Sequence, residues 1–534
     1  MNNEVKISLY QLNNNVADIT NNTKIILDKI NESKKEGKDI IVFPELFLSG
    51  YPPNDLLYRD SYLKEINQSL DIIISKTINI AVIVGHPNFK NGKLYNCASV
   101  IHNQKIIHQH NKIALPNYSM FDEKRYFDSG NSIKTVVINN IKCCILICED
   151  LWHEETHNEV EKINPEMVFC LNASPYTLDK VQLRKKIVKK AALKSKSNYA
   201  YLNLIGAQDS LVFDGGSLLT NSSGNIIGSA KQFSEDSLNF TYDIQKKNIY
   251  CNHNNKHVDE NMQVYQALVL GIRDYVQKNN IRGITLGLSG GIDSALSLAI
   301  CVDAIGPNRV NPILLPSKYT SEQSIHLAID QAKLLGCNHS TIPINSIVKE
   351  TMELTKTSEN TLTEQNIQAR SRALVLMTIS NNNGTILVNT SNRSELATGY
   401  GTLYGDLCGG FCILKNIPKM LVYKISKWRN EQSPAILEEI INRPPTAELS
   451  HNQLDSDDLP PYQELDDIIH LYIDKQLSHN EIVKKGHDKE VVKKIINLIN
   501  TSEFKRQQSA PGVQISNTSF GTARRMPITS EITI

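Results

Sequence analysis

The chain has 534 residues, 40% hydrophobic and 21% charged, with a formal net charge of +1. That length exceeds one ordinary hydrophobic core, so two or more domains are expected. The balanced charge argues against a nucleic-acid or acidic-lipid partner, and no run reaches the roughly 20 apolar residues of a membrane span.

The opening "MNNEVKISLYQL" reads as a strand and lacks the apolar core of a signal peptide. The ten cysteines form no C-x-x-C pair, and most lie in apolar runs, as reduced thiols do. A cytoplasmic location is therefore expected. A helix is predicted over 17–34, then strand "DIIVFPE", which ends at Glu45. Strand "INIAVIVGHP" follows, and "YNCASVIHNQKIIHQHNKI" alternates and turns at Asn103 like a hairpin leading to Lys112. Strand "IKCCILICED" ends at Cys148, and a helix is predicted over 180–197.

A cysteine at a sharp strand end can be an exposed nucleophile. It then needs a base and a charge to stabilise a tetrahedral oxyanion, roles that suit Glu45 and Lys112. Taken singly, each residue has an ordinary reading: a core thiol, a turn cap and a surface lysine. In this order and these contexts they resemble the Glu-Lys-Cys triad of the nitrilase superfamily, over residues 1–245. The resemblance implies an αββα sandwich and a thioester formed on Cys148. The strings F-P-E-L, G-Y-P-P and K-x-x-L-P-N-Y are similar to a glutaminase branch, which implies glutamine contacts from Tyr118, Ser174 and Lys180. Glu123 either assists or lies at the surface. Cys143, Cys144 and Cys170 read as core thiols.

Residues 246–260 are polar and aperiodic and read as a linker. Beyond them a helix is predicted from the spacing of Tyr265, Leu268, Val269, Ile272, Tyr275 and Val276. Strand "GITLGLS", helix "DSALSLAICVDAIG", strand "RVNPILLP", helix "SEQSIHLAIDQAKLLG" and strand "STIPI" come next. Helix "EQNIQARSRALVLMTISNNNG" and strand "TILVNTS" complete an alternation that predicts a doubly wound parallel sheet over 261–534, with a helical tail from about residue 444.

Between strand and helix stands S-G-G-I-D-S. Its glycines permit close approach of backbone N–H groups to phosphate, yet no lysine follows in the G-x-x-x-x-G-K-[ST] arrangement. Asp293 can cap the helix or hold Mg²⁺. The string resembles the pyrophosphate loop of the ATP-pyrophosphatase superfamily, which releases pyrophosphate from ATP and transfers AMP. "QNIQARSRALVLM", "NTSNRSELATGYGTLYGDLCGGF", "RPPTAELSHNQLDSDDLPPY" and "EFKRQQSAPGV" narrow the resemblance to NAD synthetases.

That resemblance implies ATP binding by Gly287, Leu288, Ser289, Gly290, Gly291, Ile292, Asp293, Ser294 and Thr390. It implies deamido-NAD binding by Asn366, Glu395, Tyr400, Leu403, Asp406 and Lys505, and Mg²⁺ near Asp293 and Glu395. Where the family has T-G-N-K-S-E, this chain has Thr390-Ser391-Asn392-Arg393-Ser394-Glu395. Arg524 and Arg525 read as a solvated basic pair, and Asp455, Asp457 and Asp458 as a solvated charge run.

The two halves together resemble the glutamine-dependent NAD synthetases. The resemblance implies small-molecule substrates (deamido-NAD, ATP, glutamine), ammonia passed between two sites, and a homo-oligomer. Rival readings are a GMP- or asparagine-forming ligase with the same loop, and an ammonia-using NAD synthetase whose first half is a non-catalytic assembly domain.

Overall fold

A computed structural model describes residues 3–530 except positions 254, 256, 257, 452, 454 and 458, so Asp458 lies outside the described residues. The chain divides into two compact units, Met1–Val258 and Asp259–Ile534.

The first unit is built on two sheets. The strands are β1 (Glu4–Gln11), β2 (Ile40–Val42), β3 (Ala81–Lys90), β4 (Lys93–His102), β5 (Lys105–Asn111), β6 (Thr135–Ile138), β7 (Ile141–Ile147), β8 (Met167–Asn172) and β9 (Asn198–Asn203). They continue with β10 (Ile205–Gln208), β11 (Leu211–Asp214), β12 (Leu218–Thr220), β13 (Ile226–Ser229), β14 (Asp236–Asp243) and β15 (Asn248–Tyr250). One sheet runs β15-β14-β1-β2-β3-β4-β5 and the other β13-β12-β9-β8-β7-β6, with β10-β11 a separate ribbon.

Strand periodicity builds the layers, because alternate side chains face opposite ways. Ile40 and Val42 of β2 join Ile145 and Ile147 of β7 in a core between the sheets. Ile41 and Phe43 face outward against Ile26 and Ile30 of α1 (Ile19–Lys35) and Ile66 and Ile73 of α2 (Asp60–Lys76). On the other side Cys144 and Leu146 meet Val160 of α3 (Glu154–Ile163) and Val188 of α4 (Lys180–Ser195). This is the expected αββα sandwich. The β4–β5 turn places both Asn103 and Gln104 at positive φ, the geometry whose twist suits a tight hairpin. Within the stretch read as linker, β15 pairs antiparallel with β14, so the polar appearance of 246–260 conceals an edge strand.

The second unit carries a five-stranded sheet of β16 (Ile284–Gly287), β17 (Val310–Leu314), β18 (Ser340–Thr341), β19 (Ile386–Asn389) and β20 (Phe411–Cys412), in the order β18-β17-β16-β19-β20. All four pairings are parallel. Its helices include α5 (Glu260–Lys278), α6 (Ile292–Ile305), α7 (Glu322–Leu334), α8 (Asn345–Thr355), α9 (Leu362–Asn383), α10 (Arg393–Thr398) and α11 (Lys419–Gln432). Of the residues that predicted α5, all but Tyr275 are buried. The strand order reverses between β16 and β19, the position where open parallel sheets leave a crevice beyond their carboxyl ends. The tail is helical, with Leu465, Ile468, Ile495 and Ile499 packing around Leu396 of α10.

Candidate active sites

In the first unit Glu45 follows β2, Lys112 follows β5 and Cys148 follows β7. Three separate strand ends bring them together. Lys112 Nζ donates to Glu45 Oε1 at 2.7 Å and to Glu123 Oε1 at 2.8 Å, and both Lys112 and Glu45 are 1% exposed. Glu45 also accepts from Asn96 Nδ2 at 2.8 Å and, on its other oxygen, from the Ala173 amide at 2.8 Å. These donors fix the carboxylate in place. The surface readings of Lys112 and Glu123 give way, because charges so deeply buried persist only when paired. Glu123 is buried and also accepts from the Tyr51 hydroxyl at 2.8 Å.

Cys148 has φ 44°, a left-handed backbone that non-glycine residues adopt only when their surroundings impose it. Burial pushes its thiol well above the usual value, Glu45 pushes further, and Lys112 opposes. Burial thus favours the uncharged thiol, and a thiol becomes a nucleophile only when a base takes its proton. Burial would lower Lys112, but Glu123 and then Glu45 outweigh it and hold the ammonium well above its ordinary value. Burial likewise raises Glu123 to about 7, with Lys112 opposing and Glu45 adding.

Asp150, unassigned by its sequence context, joins these elements. Its Oδ1 accepts the Ile113 and Ala114 amides at 2.9 and 2.8 Å, and its Oδ2 accepts the Ile147 amide at 3.0 Å and pairs with His110 Nε2 at 2.9 Å. Burial raises this carboxyl, but His110 and the amides outweigh it and hold it low.

Around the cysteine, Tyr118 is 47% exposed, with its hydroxyl 3.2 Å from both carboxylate oxygens of Glu149. Lys180, at the start of α4, lies 4.2 Å from the Trp152 ring centroid, and burial followed by Arg184 lowers its pKa. Ser174 is buried, its amide donating to Asn203 Oδ1 at 2.9 Å and its hydroxyl accepting from Arg184 Nε at 3.3 Å. Asn96 and Trp152 carried no sequence signal. They are recognised only by what the fold places beside them.

The second unit holds a cavity of about 320 Å³ at the carboxyl ends of β16, β17 and β19. Gly287, Leu288, Ser289, Gly291, Ile292, Asp293, Ser294, Thr390, Glu395, Tyr400 and Asp406 line it. Within the loop, Ser289 Oγ lies 3.1 Å from Ser294 Oγ and accepts the Gly291 amide at 3.3 Å. Gly290 is not in the wall. It has φ 81°, and a Cβ there would come within 2.5 Å of the Ser324 carbonyl oxygen.

The helix starts at Ile292 with Gly291 as its cap, so Asp293 does not cap it. Asp293 instead accepts from Asn392 Nδ2 at 3.0 Å and bonds the buried Lys419 ammonium. Lys419 Nζ stands 3.9 Å from Glu395 Oε1. Glu395 and Asn392 cap α10 reciprocally. Burial, then Asp293, pushes the Glu395 carboxyl well up against the pull of Lys419.

Asp455 does not belong to a solvated run: it is buried in the cavity wall and accepts the Tyr462 hydroxyl at 2.7 Å. Asp457 is exposed. Nor is Arg524 solvated, for it pairs with Glu503 at 2.8 Å, whereas Arg525 is exposed.

Asn366, Leu403 and Lys505 gather around the 399–406 loop outside the cavity wall. Asn366 Oδ1 accepts the Thr402 hydroxyl at 2.8 Å, the Leu403 carbonyl accepts Arg370 Nε at 3.3 Å, and Lys505 Nζ donates to the Gly399 and Gly401 carbonyls at 2.8 Å each. The two departures from the family string are accommodated locally. The Ser391 amide donates to Asn389 Oδ1 at 2.8 Å. Arg393 forms a two-pronged pair with Asp474, at 2.6 and 3.1 Å, and is absent from the cavity wall.

Comparison with known proteins covers nearly all of the chain. Residues 6–250 match the carbon-nitrogen hydrolase family and residues 264–509 the NAD synthase family. The chain is 40% identical over 530 residues to the glutamine-dependent NAD(+) synthetase of Acinetobacter baylyi, covering 98% of each. It is 37% identical to that of Thermotoga maritima, again with 98% of each covered. Among solved structures, the glutamine-dependent NAD(+) synthetase from Acinetobacter baumannii in complex with adenosine diphosphate superposes with a TM-score of 0.81 at 38% identity, covering 98% of both chains.

Proposed function

We propose, because this chain belongs to the glutamine-dependent NAD(+) synthetase family, that it amidates deamido-NAD to NAD with ATP, taking ammonia from glutamine in its first unit and consuming it in its second. The buried cluster of Glu45, Lys112 and Glu123 at the Cys148 turn is the observation that carries the division of labour. It also disfavours a non-catalytic first unit, as do relatives that match over both halves.

In this reading Glu45 takes the thiol proton as Cys148 Sγ attacks the side-chain amide carbon of glutamine. Lys112 stabilises the oxyanion. Ammonia leaves with the proton that Glu45 returns, and water then cleaves the thioester to glutamate. Tyr118, Ser174 and Lys180 border the place where glutamine would sit. Lys180 and the partly exposed Tyr118 suit an amino acid's charged end.

In the second unit ATP occupies the cavity with its phosphates toward Ser289–Ser294 and Thr390. A carboxylate oxygen of the nicotinate attacks the α-phosphorus, pyrophosphate departs, and ammonia then displaces AMP to give the amide. Asn366, Glu395, Tyr400, Leu403, Asp406 and Lys505 would hold deamido-NAD around the 399–406 loop. Among the described residues no cluster of three or more His, Cys, Asp or Glu could by itself hold a metal ion. Asp293 and Glu395 nevertheless fit Mg²⁺, which takes one or two carboxylates and completes its shell with phosphate oxygens and water. Burial and then the neighbouring Asp293 raise Glu395, and a cation relieves the repulsion between the two carboxylates. When bound, Mg²⁺ would neutralise phosphate charge.

We place the enzyme in the cytoplasm as a homo-oligomer. All ten cysteines are free, as in a reducing compartment, and no helix among the described residues is long and apolar enough to cross a membrane. The decisive assay supplies deamido-NAD and ATP with either glutamine or ammonium. NAD, AMP and pyrophosphate are expected in equal amounts from both donors, with one glutamate per NAD from glutamine. Failure to release AMP with deamido-NAD ends the reading.

A further inference from the structure

The Ser289–Ser294 loop offers hydroxyls and amides but no cation of its own, whereas departing pyrophosphate carries most of the charge of ATP. Among the described residues three cationic side chains, Arg372, Lys419 and Arg443, line the cavity. Lys419 is committed to Asp293 and Glu395. Arg372 donates Nε to the Leu315 carbonyl at 3.0 Å, at the apolar wall that follows β17.

Arg443 is placed differently. Its Nη1 donates to Ser324 Oγ at 2.6 Å, and the Ser324 carbonyl is the group that closes on Gly290. Guanidinium and phosphate loop therefore flank the same first turn of α7.

Arg443 already has an anion. Its Nη2 donates to Glu448 Oε1 at 2.8 Å, and that same oxygen accepts the Ser321 and Ser324 hydroxyls at 2.8 Å each. Glu448 holds this position with a left-handed backbone, φ 47°, a conformation that costs energy in a residue bearing a side chain. Both partners line the cavity and are only partly buried, at 19% and 18% side-chain exposure. Exchanging one anion for another here disturbs no core.

We propose that Arg443 is the cation that receives the β- and γ-phosphates of ATP, and then the departing pyrophosphate, by turning from Glu448, its internal stand-in. The inference rests on the reading of this cavity as the ATP site. As the nicotinate oxygen bonds to the α-phosphorus, the bond from that phosphorus to the bridging oxygen breaks. Its electron pair leaves with pyrophosphate, where a guanidinium fork pairs with two oxygens at once.

The test uses the full chain with ammonium as nitrogen source at fixed Mg²⁺, measuring inhibition against ATP by inorganic pyrophosphate and, separately, by AMP. Arg443→Gln is expected to weaken pyrophosphate by about tenfold or more while leaving AMP within about twofold, Arg443→Lys to fall between, and Glu448→Gln to tighten pyrophosphate. Equal weakening of both inhibitors in Arg443→Gln, or no weakening of pyrophosphate, overturns the proposal alone. If that variant does not fold, an unchanged pyrophosphate constant in both Arg443→Lys and Glu448→Gln overturns it. An unaltered chain on which pyrophosphate does not compete with ATP overturns this proposal and the cavity assignment together.

Discussion

Lys112 spans two carboxylates, Glu45 at 2.7 Å and Glu123 at 2.8 Å, in a place almost closed to water. One cation thus balances two potential anions and the neighbouring thiol. Replacing it with methionine strands the pair, and breaking a buried ion pair from one side costs about 3–5 kcal/mol. Lys112→Met should lower the melting temperature and abolish glutamate release from glutamine. Calorimetry and a glutaminase assay check this, and an unshifted melt would contradict the buried pairing.

The proposed nucleophile separates the two nitrogen donors. Cys148→Ala should reduce glutamine-supported NAD synthesis by about a thousandfold or more. Ammonium-supported synthesis should stay within about twofold, because that route bypasses the thiol. Initial rates with each donor measure the split, and persistent glutamine use would remove the assignment.

Glu123 gives a pH signature in stability. Its carboxyl, ordinarily near 4.5, is raised to about 7 in the fold, chiefly by burial. Between those values the native state binds more protons than the unfolded one, so the contribution of this group to stability falls as pH rises through the window. Glu123→Gln is always neutral and escapes that loss. Its melting temperature relative to the unaltered chain should therefore climb from pH 5 to pH 8. A constant difference across that range would mean that the carboxyl is not raised.

At Gly290 the backbone has φ 81° and the Ser324 carbonyl leaves no room for a Cβ. Gly290→Ala should distort the phosphate loop, costing about 1–3 kcal/mol and raising KM for ATP with either nitrogen donor. Steady-state titration of ATP is the check, and an unchanged KM would show that the loop tolerates the shift.

Arg393 is a bidentate partner of Asp474 and lies outside the cavity wall. Arg393→Lys keeps the charge but loses the fork geometry. It should lower the melting temperature while changing KM for ATP less than about twofold. A large KM effect with no thermal effect would place Arg393 in contact with the nucleotide.

Local rules account for much of what was legible. Short apolar runs ending in polar residues anticipated β2 and β7, helical spacing anticipated α5, and alternation with a turn at Asn103 anticipated the β4–β5 hairpin, because each depends on neighbours within a few residues. The pairing of Glu45 with Lys112 and the place of the S-G-G-I-D-S loop in the cavity wall follow from residue types that the sequence shows at strand ends. Asp455 was misread as solvated and Lys419 went unnoticed for the opposite reason. Asp455 sits among acidic and proline residues that resemble a loop, and Lys419 looks like an ordinary helix lysine. Their surroundings come from distant parts of the chain: Lys419 bonds Asp293, and Asp455 joins the wall of a cavity built largely by residues well before it. β15 was hidden likewise, since an edge strand with only three residues shows too short a pattern to register.

Asp150 touches the backbone on either side of the sulfur: Ile147 before the nucleophile, Ile113 and Ala114 after the ammonium-bearing residue. One carboxylate thus bonds both the backbone that leads into Cys148 and the backbone that follows Lys112. The strands bring these two segments near each other, and one short side chain joins them beyond the strand ends.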